Sequence, residues 1–188
     1  MRKKTNYILF EGLPGGGKTT NINKLLHYPD CAIIPDIGNP NGLDSLFEIN
    51  WNYLIELEYI KSYLIQHSKA YFTFQERGYL SILAFHYAEK MLGLNEIYSE
   101  AYKEIEKKIK NGLIILPDLM ILIDIEPKFS QERQPGVKLF IWKNTESLNH
   151  MWKFYSDYAR NPFFGEKVMS ISQMDTLTLE DLLSKISN

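Results

Sequence analysis

The run Gly12-Leu13-Pro14-Gly15-Gly16-Gly17-Lys18-Thr19 satisfies the spacing G-x-x-x-x-G-K-[ST] at every fixed position. Glycines, having no Cβ, let a loop wrap an anionic phosphate with its N–H groups turned inwards. A helix that follows such a loop adds the positive end of its dipole. Lys18 is placed to neutralise the β- and γ-phosphates of a nucleoside triphosphate, and Thr19 to hold Mg²⁺. Gly12, Pro14, Gly15, Gly16, Gly17, Lys18 and Thr19 thus form the candidate ATP-binding segment. A glycine-rich turn with an accidental lysine is the bland alternative. It does not account for the apolar strand before the loop and the helical pattern after it.

A second constellation is the acid–arginine pair Glu76-Arg77, which closes the apolar run Tyr71-Phe72-Thr73-Phe74-Gln75. A carboxylate there can orient Mg²⁺ and its waters or receive a proton. The guanidinium fork matches the oxygens of an acceptor phosphate or of a phosphoryl group in transit. A surface ion pair capping the next helix would use the same two residues.

These groups need a scaffold that brings residues 12–19 beside residues 76–77. The apolar pattern predicts strands at Asn6–Glu11, Cys31–Ile34, Tyr71–Gln75, Leu119–Ile123 and Val168–Ser172. Helices are predicted at Lys18–His27, from Asp44 or Ser45 to Ser68, at Tyr79–Leu92, from Asn95 through Lys110, and at Glu126–Arg133, Thr145–Arg160 and Leu179–Ile186. Asp36–Gly42, with Gly38, Pro40 and Gly42, reads as a loop. Strands alternating with helices call for an α/β fold with a mainly parallel sheet, whose sites lie beyond the carboxyl ends of the strands. Both constellations sit just after predicted strands.

Composition limits the partners. The chain has 188 residues, a formal net charge of −2 and 23% charged residues, which predicts one domain spanning 1–188. Near-neutrality argues against a general nucleic-acid binder. The lone Cys31 excludes an internal disulfide and suits a reducing cytosol, so a cytoplasmic location is expected. No apolar run approaches about 18 residues, so no membrane span is expected. The guanine-reading N-K-x-D pattern is absent, which counts against a GTPase.

Tyr7-Ile8-Leu9-Phe10-Glu11-Gly12 before the loop, with Thr19-Thr20 after it, resembles the opening of thymidylate kinases. Glu76-Arg77, followed by Tyr79-Leu80-Ser81 and Ala84-Phe85-His86, is similar to that family's Asp-Arg-Tyr segment. It is equally similar to the Asp/Glu-Arg-Ser motif of deoxynucleoside kinases. Leu116-Pro117-Asp118-Leu119 with Pro127 looks like the strand preceding the lid in both groups. The resemblance implies a P-loop core of five parallel strands with helices on both faces and a short lid at about 133–144. It implies ATP with Mg²⁺ and a nucleoside monophosphate or nucleoside acceptor. Carried over by position, Thr20 supports the phosphate loop, and Glu76 and Thr19 attend the metal. Arg77 clamps phosphate, and Asp36 is the candidate base or acceptor-hydroxyl ligand. Arg133, with Lys138 and Lys143, supplies the lid cations, a weaker set than the family's paired arginines. Lys18, Glu76, Arg77, Asp36 and Arg133 are therefore the candidate catalytic residues. The family's dimerisation through helices makes a homodimer an expectation.

The chain also departs from that pattern. Thymidylate kinases read thymine with an arginine on the helix before the Asp-Arg strand, and here no arginine stands between Arg2 and Arg77. Glu56 and Glu58 occupy that stretch. A carboxylate accepts where arginine donates, which counts against dTMP and favours an amino-bearing base. Gly78 replaces the family's Tyr or Ser. Phe47, Trp51, Tyr53, Tyr59 and Tyr63 fall at helical spacing and are expected mainly in the core, as are Trp142, Trp152, Phe154, Tyr155 and Tyr158. Asp124 is a secondary candidate for a metal-linked acid. The leading reading is a nucleoside monophosphate kinase, the second a nucleoside or other small-metabolite kinase. A nucleotide-binding regulatory protein with weak turnover is the reading from a different class.

Overall fold

The computed structural model describes residues 5–34, 51–133, 140–173 and 175–187. Asp36, the proposed caps Asp44 and Ser45, Phe47, Lys138 and the 134–136 break lie outside the described residues. The chain runs β1 (Asn6–Gly12), α1 (Lys18–Leu25), β2 (Cys31–Ile34), α2 (Trp51–Gln66), β3 (Phe72–Glu76), α3 (Tyr79–Met91) and α4 (Tyr98–Lys110). It continues with β4 (Leu119–Asp124), α5 (Pro127–Glu132), α6 (Phe140–Lys143), α7 (Thr145–Arg160), β5 (Val168–Ser172) and α8 (Leu179–Ser187).

All strand pairings are parallel, in the order β2-β3-β1-β4-β5. β1 is central, and its neighbours β3 and β4 are reached by crossovers leaving in opposite directions. That reversal opens a crevice at the carboxyl end of β1. Alternation along β1 divides the core. Tyr7 and Leu9 join α3 and α7 on one face, while Ile8 and Phe10 join Ile22 and Leu25 of α1 and Leu182 of α8 on the other. The expected α/β class and five-stranded parallel sheet are thus observed. No described helix is long and apolar enough to cross a membrane.

Two expectations need correction. The helix expected to open at Asn95 starts at Tyr98; Asn95 instead accepts the Ile97 amide in a side-chain turn, the competing bond that keeps Asn out of helix interiors. Residues 140–143, at the end of the expected lid, form one turn of helix, α6, whose Ile141 is buried. Of the aromatic residues of α2, Trp51 packs against the core, but Tyr53, Tyr59 and Tyr63 do not: they are 50%, 40% and 54% exposed. Its buried face is Ile55, Glu58, Lys61, Ser62 and Ile65, because the polar members of that face have partners beneath the helix. Outside α2 the aromatic expectation holds for Phe154, Tyr155 and Tyr158, which are buried, whereas Trp152 is 36% exposed.

Candidate active site

The phosphate loop leaves β1 through Gly12, at φ 126°. A Cβ there would lie 2.5 Å from the Ile123 carbonyl oxygen, so only glycine lets the loop depart this close to β4. Gly17 meets the opposite situation. Open space surrounds it, but its φ of 91° as the N-cap of α1 is a left-handed conformation that side chains disfavour. Lys18 folds back along the loop. Its buried ammonium donates to the carbonyls of Gly12 and Leu13, each at 2.9 Å. The charge is thereby fixed at the loop, with the desolvation that burial costs offset by two short bonds.

β3 brings the second constellation alongside. Phe10 pairs with Glu76, and the Arg77 amide continues the ladder to the Phe10 carbonyl at 3.0 Å. The Thr19 hydroxyl donates to both Glu76 oxygens, at 2.8 and 3.0 Å. Thr19 and Glu76, 57 positions apart in sequence, thus share one point at the mouth of the loop. Thr20 is exposed on α1. A hydroxyl and a carboxylate beside a phosphate cradle are the donor set Mg²⁺ takes when it arrives with a nucleotide. The residues present therefore fit a magnesium-bound triphosphate.

Arg77 adopts φ 56°, the left-handed region, which costs a side-chain-bearing residue about 1–2 kcal/mol. Its guanidinium carbon lies 5.1 Å from the centre of the Trp142 ring on α6. Its carbonyl accepts from Gln75 Nε2 at 2.8 Å and from Lys61 Nζ at 3.2 Å. Glu58 completes this buried group, taking Lys61 at 2.7 Å and Gln75 at 2.9 Å, while Tyr7 donates to Gln75 at 2.9 Å. Gly78 follows from packing: a Cβ there would meet Leu9 and Gln75 at 3.1 Å.

Glu11, the last residue before the loop, is fully buried. Its carboxylate accepts the amides of Gly78 at 2.8 Å and Ser81 at 3.2 Å, and the Ser81 hydroxyl. Gly78 is the N-cap of α3 and has no side chain, so a carboxylate from another strand supplies the cap. Burial pushes the Glu11 carboxyl up to about 7, against the opposing pull of the Ser81 and Gly78 bonds and of Lys18.

On the other flank α5 is tied to the loop. Ser130 donates to the Pro14 carbonyl at 2.7 Å, and Arg133 Nη1 to the Gly15 carbonyl at 3.2 Å. Arg133 therefore meets the phosphate loop at a loop carbonyl. Lys143, at the end of α6, is exposed. Asp124 is exposed and accepts the Trp152 indole N–H at 2.7 Å.

The structure gathers Gly12 to Thr19, Glu76, Arg77 and Arg133 into one crevice. Glu56 and Glu58, which the sequence reading set against an amino-bearing base, are engaged by other side chains. Glu58 is held by Lys61 and Gln75, and Glu56 pairs with Lys108 of α4 at 2.7 Å. Glu11, Lys61, Gln75 and Ser130 were not singled out from sequence. Glu11 did carry a signal: a charged residue continuing an otherwise apolar strand with no turn residue between.

No protein-family model matches the sequence, and no curated relative does. Among solved structures, the fold is similar to deoxyadenosine kinase from M. mycoides with bound dATP, with a TM-score of 0.67 at 15% identity, over 96% of this chain and 99% of that one. It is likewise similar to deoxyadenosine kinase from M. mycoides with the products dCMP and a flexible dCDP bound. There the TM-score is 0.67 at 13% identity, over 96% of this chain and 94% of that one. At these identities the likeness is one of fold: the chain has the α/β architecture of those kinases, in which a P-loop follows the central strand.

Proposed function

We propose that the protein is an ATP- and Mg²⁺-dependent kinase that transfers the γ-phosphoryl group to the 5′-hydroxyl of a (deoxy)nucleoside. The observation that carries this reading is the Thr19–Glu76 contact at 2.8 Å, made where the buried Lys18 closes the phosphate loop. The fold shared with deoxyadenosine kinases supports a nucleoside as acceptor. The loop amides and the start of α1 bind phosphate oxygens, and Lys18 supplies positive charge beside them. Magnesium, when bound with the triphosphate, would be held by Thr19 and Glu76 and would offset charge on the β- and γ-oxygens. Arg77 steadies the phosphoryl group in transit, and Asp36 takes the acceptor proton. Ser130 and Arg133 hold the loop in shape by fixing its carbonyls. Rate comes from positioning and charge neutralisation.

A second reading, transfer to a nucleoside monophosphate, draws on Arg77, whose fork suits an acceptor phosphate. A panel of deoxyadenosine, deoxycytidine, thymidine and their monophosphates, with ADP release as readout, separates the two. Turnover of nucleosides alone supports the first reading, and of monophosphates alone the second. Binding of ATP without turnover of any acceptor supports a regulatory nucleotide-binding protein and refutes both. The exposed apolar stripe Tyr53, Tyr59, Ile60, Tyr63 and Leu64 on α2 supports a homodimer, which sedimentation analysis tests.

A further inference from the structure

One peptide unit in the crevice is held at both ends. The Arg77 carbonyl accepts from Lys61 of α2 and Gln75 of β3, and the Gly78 N–H on the same peptide donates to Glu11 of β1. The three side chains are buried and come from three elements. Behind them stand Glu58, which orients both Lys61 and Gln75, and Tyr7, which orients Gln75. All of this converges on a residue whose φ of 56° would otherwise relax. We propose that Glu11, Lys61 and Gln75 form a peptide clamp, a set of positioning residues that holds the Arg77–Gly78 unit so that the Arg77 guanidinium points into the crevice against Trp142.

Two features argue against simple fold stabilisation. A buried Lys–Glu pair is a poor stabiliser compared with apolar residues of the same volume. In α2 the exchange is explicit: Glu58 and Lys61 face inwards while Tyr53, Tyr59 and Tyr63 face outwards. Reversing that face would bury more apolar surface and lose the grip on Arg77. In addition, Glu11 joins the first strand of the phosphate loop to the first turn of α3, so the clamp sets the position of Arg77 relative to the loop and not merely its own rotamer.

This inference rests on the kinase reading, and its test separates the two. Steady-state kinetics with ATP, Mg²⁺ and deoxyadenosine are compared for wild type, Glu11→Met, Glu11→Gln, the pair Glu58→Gln with Lys61→Met, Arg77→Met, and Arg77→Met combined with each. Glu11→Met is expected to lower kcat by about tenfold to a hundredfold, with the KM for ATP within about twofold. Glu11→Gln keeps an acceptor oxygen for both amides and is expected to stay within about threefold of wild type. In the Arg77→Met background Glu11→Met should cost less than about twofold more, because its effect passes through Arg77. Full additivity in that background, or a raised KM for ATP at unchanged kcat, overturns the clamp. The Glu58→Gln, Lys61→Met pair follows the same rule should Glu11→Met fail to fold. Amide exchange at Gly78 in the free protein provides a readout without catalysis. Protection in wild type that is lost in Glu11→Met, with β4 amides unchanged, supports the clamp, and an unprotected Gly78 amide in wild type overturns it. If wild type turns over no acceptor, the kinase reading fails while the exchange measurement still decides the clamp.

Discussion

The two strands that flank β1 both end in an acid, and the acids have opposite surroundings. Glu76, at the end of β3, is half-buried and meets Thr19 beside the phosphate loop. Asp124, at the end of β4, is exposed and holds an indole N–H. Behind Glu76 lies a buried polar group of Tyr7, Gln75, Glu58 and Lys61, whereas the residues of β4 before Asp124, Leu119 to Ile123, are all buried and apolar. Both flanks have an acid at the topologically favoured position, so position alone does not make a site. The difference lies behind the acid: a buried, hydrogen-bonded group of polar side chains stands on the β3 side.

The comparison can be broken by substitution. Lys18→Ala sets the upper limit and should lower kcat at least about a thousandfold in the ADP-release assay, since it removes the charge fixed at the loop. Glu76→Gln should lower kcat about a hundredfold at saturating Mg²⁺, while Asp124→Asn should stay within about threefold. Equal losses at the two acids in the same assay would erase the distinction between the flanks.

A pH titration sharpens it further. The buried Glu11 carboxyl titrates near 7 in the folded chain against an ordinary value of 4.5, so the folded state keeps a proton that the unfolded chain releases. Its contribution is complete below about pH 4.5 and is lost as pH rises through about 7. Stability should therefore fall across that window by roughly 3 kcal/mol at most, measured by urea unfolding, and the fall should vanish in Glu11→Gln. Asp124→Asn should leave the slope unchanged. The smallest effects are structural. Ser130→Ala, which removes the bond to the Pro14 carbonyl, should cost about 1 kcal/mol, and Asp124→Asn less than about 0.5 kcal/mol, by the same unfolding measurement.

Local pattern carried much of the architecture. Cys31–Ile34, Thr145–Arg160 and Val168–Ser172 form the elements predicted for them at the same bounds, and Asn144 caps α7 through the Ser147 amide. Strand runs that are apolar throughout leave little ambiguity once both faces are covered. The phosphate loop was equally legible, because its chemistry lies within eight consecutive residues. What was not legible depends on distance. Glu11 and its amide partners are 67 and 70 positions apart, and Arg133 and Gly15 are 118 apart. The inward face of α2 misled for a different reason. Lys and Glu three residues apart on a helix normally mark a solvated surface, and tyrosines at helical spacing normally mark a core. Here the polar residues face inwards because their partners, Gln75, the Ile115 amide and the Arg77 carbonyl, lie beneath the helix and far away in sequence.

The cap that Glu11 provides also has an electrostatic consequence. Two helices, α1 and α3, start at this crevice, and each helix start carries about half a positive charge. The Gly78 and Ser81 amides at the start of α3 are taken up by the Glu11 carboxyl, which offsets the field of that helix as it ionises. The attraction for an anion is thereby concentrated on the axis of α1 and on Lys18, and the crevice has one electrostatic focus where its architecture offers two.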